Sequence, residues 1–228
     1  MSRGLALVLL VGLVAVTVPL AMGRPAPEPE RPEPTERLVL AAGVFVVARR
    51  DLPDPNFRRA VVLIVQHDER GTLGLIVNHR TRHRLHDALP DLPGAQAADH
   101  PLYLGGPVGR TMLVMLLRNE KPGKTIDRVT DEVSFCADRD VLERLIANKK
   151  SPTELRLYLG HAGWAGGQLT HELARGDWYL AKSDGKSIFG DVENLWNRLI
   201  DELDPPGFEV RQGPDTTRAT SAQEASRL

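Results

Sequence analysis

Leu155-Arg156-Leu157-Tyr158-Leu159 runs into Gly160-His161-Ala162-Gly163-Trp164-Ala165-Gly166-Gly167-Gln168-Leu169, then into Thr170-His171-Glu172-Leu173 and Gly176-Asp177-Trp178-Tyr179-Leu180-Ala181. The stretch reads as a buried strand, a glycine-hinged loop carrying a tryptophan, a short helix and a second strand. Four glycines lie between positions 160 and 167. Glycine reaches φ > 0 without steric cost, so the segment can turn sharply and bring backbone close to something else. That something is either a ligand, held by free N–H groups at a helix start, or the protein's own sheet. The spacing is not Gly-x-Gly-x-x-Gly and no P-loop lysine follows, so neither nucleotide fingerprint is met. Approach to the sheet is the preferred reading, with Trp164 as a hydrophobic plug over the core.

The 228 residues fit one large domain with appendages. Apolar content of 42% and charged content of 26% are those of a chain that buries a real core. The net charge of −1 and pI near 6.7 leave no overall basic surplus for nucleic acid. The single cysteine, Cys136, excludes an internal disulfide and a cysteine-based metal cluster. It reads as a small buried hydrophobe at the end of a strand.

Residues 1–23 combine Arg3, an apolar run over residues 5–18, Pro19 and the small residues of Ala21-Met22-Gly23. This is the pattern of a signal peptide or, at nearly 20 residues, of an N-terminal membrane anchor. Either places the domain in the periplasm, secreted, or on the inner membrane. A mis-assigned start codon would place it in the cytoplasm instead. Residues 24–36 alternate prolines with charges and read as an extended linker. The folded domain is expected over residues 37–210, followed by a polar, disordered tail over 211–228.

Within the domain, residues 39–48 and 60–66 read as strands, and residues 73–77 return as a hairpin partner. Residues 79–86 hold three histidines and three arginines. At helical spacing His79 and His83, or His83 and His86, would share a face. The interleaved arginines would repel a cation, so the segment reads as a solvated basic patch rather than a metal site. A short helix is expected over residues 85–89, and strands over 102–104, 112–117 and 129–135. Asp138 is a candidate N-cap for a helix with Val141, Leu142, Leu145 and Ile146 on its apolar face. Residues 187–203 predict one last amphipathic helix, stopped by Pro205-Pro206.

Several blocks together carry a likeness. They are Asp54-Pro55-Asn56-Phe57-Arg58-Arg59, then His67 with Gly71-Thr72-Leu73-Gly74-Leu75-Ile76-Val77-Asn78, then Leu104-Gly105-Gly106-Pro107-Val108. The last comprises Gly160, Ala162-Gly163-Trp164, Gly167-Gln168-Leu169, Glu172, Leu173 and Trp178. In order and spacing they resemble the YqgE/AlgH family of bacterial proteins over roughly residues 38–203. The resemblance implies an α+β fold: a bifurcated mixed β-sheet partly closed into a small barrel and flanked by helices. Some members carry a transcriptional-regulator label. The resemblance implies no reaction, cofactor or catalytic residue. Three positions depart from the family pattern: Ala60 where serine or threonine is frequent, His79-Arg80 in place of a basic residue and proline, and His161 where tyrosine is common.

Asn78, Gly105, Gly106, His161, Trp164, Gln168 and Glu172 form the candidate binding surface. No catalytic, cofactor-binding or metal-ligating residue is assigned. The leading expectation is a non-enzymatic binding or regulatory domain with a protein or small-molecule partner. An enzyme would place a pocket between the turn after Asp54, the end of the Asn78 strand, Gly105-Gly106 and the 160–168 segment, with His161 as base. Nucleic acid is disfavoured as a partner, and membrane contact is expected only through residues 4–22.

Overall fold

The computed structural model describes residues 38–205. The leader, the linker and the tail discussed above lie outside the described residues. In chain order the described elements are β1 (Val44–Ala48), β2 (Val61–Asp68), β3 (Gly71–Ile76), β4 (Arg80–Arg84), α1 (Leu85–Ala88) and α2 (Ala95–Ala98). Next come β5 (Pro101–Leu104), β6 (Val108–Arg118), β7 (Ile126–Arg128), β8 (Val133–Cys136) and α3 (Arg139–Ala147). The chain closes with β9 (Leu155–Ala165), α4 (Gln168–Arg175), β10 (Trp178–Lys182), α5 (Gly185–Phe189) and α6 (Leu195–Leu203). No described helix is long and apolar enough to cross a membrane.

β9 is the spine of a forked, mixed sheet that curls into a half-barrel. Its first half pairs parallel to β5 and antiparallel to β6, with Leu157 opposite Leu102 and Met115. Past Gly160 it pairs antiparallel to β3, with Ala162 opposite Gly74 and Trp164 opposite Thr72. From β3 the sheet continues through β2 and β1 to β10. From β6 it continues through β8 to β7. The expected glycine-hinged loop is therefore strand as far as Ala165. Pairing of residues 162–165 with β3, and of His161 with Val108 of β6, holds it extended, a constraint the local sequence does not carry.

The fork needs backbone pressed on backbone. Gly105 donates its N–H to Leu159 O (2.9 Å) and accepts from Ile76 N–H (2.8 Å), so it bridges both branches. A Cβ at Gly105 would overlap Gly160 O. Gly160 has φ +70°, and a Cβ there would stand 2.6 Å from Val108 O. Only glycine meets both conditions without strain.

β1 and the first five residues of β2 are buried on both faces, which explains their continuous apolar runs. Along β2, Val61, Leu63 and Val65 face one side of the sheet, where they pack with Ile188, Leu195, Trp196 and Ile200 from the α5–α6 region. Val62 and Ile64 point the other way, toward Trp164, Leu169 and Trp178. A third cluster packs Leu102, Met115, Leu155 and Leu157 under α3. That helix forms as its sequence predicts: the Asp138 carboxylate accepts from Val141 N–H (3.1 Å), and its four apolar residues are buried. Cys136 is also buried, and burial pushes its thiol pKa up.

Four local readings need correction. β1 begins at Val44, after the left-handed Gly43 (φ +85°), not at residue 39. Residues 80–84 of the histidine–arginine segment are strand, and of its histidines only His86 lies in a helix, α1. The ends of that strand pair with β5, and Thr81 Oγ1 donates to Leu102 O (2.9 Å), so helical spacing does not apply to the segment's histidines. Residues 126–136 form the β7–β8 hairpin rather than one strand, because Thr130 Oγ1 accepts from the N–H of Glu132 and Val133 and makes a turn. The final helix is two helices. Gly190, where a Cβ would stand 2.5 Å from Lys186 O, ends the first, and Val192 is buried between them.

Gly160→Ala is expected to cost at least about 2 kcal/mol in chemical denaturation, from left-handed strain and the clash with Val108 O. Gly123→Ala enters open space and is expected to change stability by no more than about 0.5 kcal/mol.

Candidate functional site

Glu172 lies one turn into α4, where the helix faces the C-terminal half of β9 and the start of β10. Its Oε2 accepts from both Trp164 Nε1 (3.0 Å) and Trp178 Nε1 (2.9 Å). Its Oε1 accepts from Gln168 Nε2 (2.9 Å), and Gln168 Oε1 accepts from Ala165 N–H (3.1 Å). The two indoles meet edge to face at 6.0 Å, and Phe57 stacks on Trp164 at 5.7 Å. One carboxylate thus satisfies two indole donors in a largely apolar setting, as buried polar groups require. Trp164, Gln168 and Glu172 form a clasp holding α4 to the sheet.

Asn78 does another structural job. Its Oδ1 accepts from Val61 N–H and its Nδ2 donates to Arg59 O, both at 2.8 Å. This pins the turn in which Arg59 adopts φ +53°. His79 Nε2 lies 3.2 Å from Arg58 O, and burial lowers the pKa of its ring. Gly105 and Gly106 sit against the backbone of Gly160 and His161 at the fork.

His161 and Trp164 line a shallow cavity of about 250 Å³ with Asp68, Arg70 and Thr72. The other five candidate residues do not line it. His161 Nδ1 is buried with no hydrogen-bond partner. The Asp68 carboxylate is held below its usual pKa, chiefly by the hydrogen bond from Arg70 N–H (2.8 Å). Thr72 Oγ1 is engaged by His67 Nδ1 at 2.7 Å. Among the described residues no nucleophile, base and orienting group stand in a hydrogen-bonded row around His161. No group of three or more metal-ligating side chains is found among them either.

A larger cleft, about 670 Å³, lies between β4–β5 and the α5–α6 connection. Arg156 lines it. Alternation along β9 puts Arg156 and Tyr158 on the face opposite Leu155 and Leu157. Arg156 is only 6% exposed. Its Nη2 donates to Gly190 O, and the guanidinium lies over the Tyr103 ring at 4.8 Å. Its Nη1 and the Tyr158 hydroxyl are both buried, and Arg156 lies within hydrogen-bonding reach of that hydroxyl, which is its neutral neighbour on the strand. Burial pushes the Tyr158 phenol pKa up, against the opposing charge of Arg156. At the rim Arg84 pairs with Asp99 (2.8 Å), and Arg80 stands 3.9 Å from Glu193. Sequence reading passed over Arg156 because its neighbours made the segment look uniformly apolar. A charge inside such a run is the signal that could have marked it.

The forked half-barrel and its aromatic clasp define a class of α+β domain by architecture, not by a reaction. The chain belongs to the AlgH-like family (DUF179), which it matches over residues 45–206. A UPF0301 protein of Chlorobium luteolum is 33% identical over 167 residues, spanning 71% of this chain and 85% of the relative. The solved AlgH protein from Pseudomonas aeruginosa is similar at TM-score 0.61 and 26% identity, over 71% of this chain and 87% of that one. A solved protein from Corynebacterium diphtheriae is similar at TM-score 0.60 and 25% identity, over 75% and 91%.

Glu172→Ala leaves two indole donors without an acceptor and is expected to cost about 2 kcal/mol, with loss of near-UV tryptophan dichroism. Glu172→Gln keeps an acceptor and is expected to cost less than half as much. Equal unfolding midpoints for all three proteins would refute the clasp.

Proposed function

We propose that this domain is a non-enzymatic binding module of regulatory type. One observation carries the reading. The polar side chains of the candidate surface are consumed in architecture, Glu172 by two indoles and Asn78 by two backbone groups. Meanwhile a cleft of small-molecule size is lined by a buried arginine, Arg156, that has no carboxylate partner among the described residues. The full-length protein is expected to give a saturable thermal shift with a metabolite in a broad panel, or to retain a specific partner in pull-down. Turnover of any substrate in a hydrolase, transferase and oxidoreductase panel, abolished by His161→Ala, would establish the enzyme reading instead.

Direct DNA binding draws little support, since Arg80 and Arg84 of the basic strand face carboxylates and the net charge is −1.

For placement, we propose that residues 1–23 carry the domain out of the cytoplasm, by cleavage or as an anchor, and that residues 24–36 act as spacer. The support is the charge–apolar–small pattern of the leader. An alkaline phosphatase fusion after Gln212 is expected to be active, and mass spectrometry should find either a trimmed N-terminus or a membrane-bound intact chain. Intact protein free in the cytosol would overturn the placement.

A further inference from the structure

Arg156 presents a physical problem that the fold leaves open. A guanidinium stays charged at every physiological pH. Burying one is costly unless its charge and donors are matched. Arg156 has a backbone carbonyl on Nη2 and an aromatic face beneath it. Among the described residues no carboxylate lies within ion-pair distance of it, and the Tyr158 hydroxyl beside it brings no charge. An oxyanion on the cleft side would supply what is missing, through charge-assisted hydrogen bonds.

The rim narrows the kind of anion. Asp99, Asp191 and Glu193 all line the same cleft. Asp99 is neutralised by Arg84, and Glu193 lies near Arg80. Asp191 has no ion pair among the described residues. Its Oδ1 accepts only from Glu193 N–H (3.0 Å). The cleft therefore offers one uncompensated cation at its wall and one uncompensated anion at its rim. A phosphate dianion would be drawn to the first and repelled by the second. A molecule carrying one carboxylate and one ammonium group would satisfy both.

We infer that this cleft binds a small zwitterion of the amino-acid type, its carboxylate on Arg156 and its ammonium group on Asp191. The inference rests on the reading of the domain as a binding module and names the ligand class of that module. The Gly190 carbonyl on Arg156 ties the α5–α6 connection to the wall of the same cleft. A carboxylate that competes for the guanidinium would loosen that tie, which offers a route from occupancy to a change in the molecule's surface.

The test is calorimetric titration of the full-length protein with unbranched ω-amino acids from glycine to 6-aminohexanoate. Acetate, methylammonium and inorganic phosphate serve as comparison probes. One chain length is expected to bind saturably and at least about tenfold tighter than acetate or methylammonium. Arg156→Lys is expected to weaken that binding by about tenfold or more, because lysine lacks the planar fork. Asp191 is exposed, so Asp191→Asn should fold normally. It is expected to abolish the preference for the zwitterion over the carboxylate of equal length while leaving carboxylate binding in place. Three results would each overturn the inference: phosphate binding tighter than every ω-amino acid, no saturable binding by any of them, or a zwitterion preference unchanged in Asp191→Asn. If that happened while a pull-down still recovered a partner, the zwitterion site would fall and the binding-module reading would stand.

Discussion

Backbone lies directly on backbone where β3, β5 and β9 meet, and the sheet can fork only because of it. Gly105 hydrogen-bonds into both branches, and the chain around Gly160 leaves no room for a Cβ. Separating the strands to admit side chains would break the Gly105 bridge and, with it, the continuity between the β5–β6 half and the β3–β2–β1 half. The forked sheet and the cores packed on its two faces depend on this one close approach. The hydrophobic effect supplies the driving force, since both sheet faces are buried. The glycines determine which packing that force can reach.

Around the fork, polar groups serve mainly to hold secondary elements in place. Glu172 links α4 to β9 and β10 through two indoles, and Asn78 links the end of β3 to the turn before β2. Each is a side chain that would look functional in isolation. A carboxylate beside two tryptophans resembles a ligand cage, but here the rings pack on each other and on Phe57. Their N–H groups are spent on the carboxylate, so little is left to present to a ligand.

Arg156 is the contrasting case. It comes from the same strand, yet its charge is unmatched and it lines the largest cleft described here. A guanidinium matched by well-placed carboxylates would be read as architecture. One that meets a carbonyl and a phenol ring but no carboxylate among the described residues leaves a positive charge beside the cleft. The carboxylates that could have matched it are at the rim, two of them already facing Arg80 and Arg84.

Much of the fold was legible in the chain because it is written at short range. The Asp138 cap with its four apolar partners, and the β2–β3 hairpin around Asp68 and Gly71, need only neighbouring residues to be recognised. The ordered family blocks gave the forked half-barrel. The glycine-rich stretch after Leu159 has the local pattern of a loop, because its extended form is imposed by partners in β3 and β6, tens of residues away. The last helix was read as continuous because periodicity survives the break at Gly190, where Val192 still reaches the core. Sequence alone thus determined the fold class, the caps and the buried faces. The tertiary structure alone decided which polar groups are spent and which are free, because charge compensation joins residues as far apart in the chain as Arg80 and Glu193 or Arg50 and Asp201, and no local pattern encodes that distance.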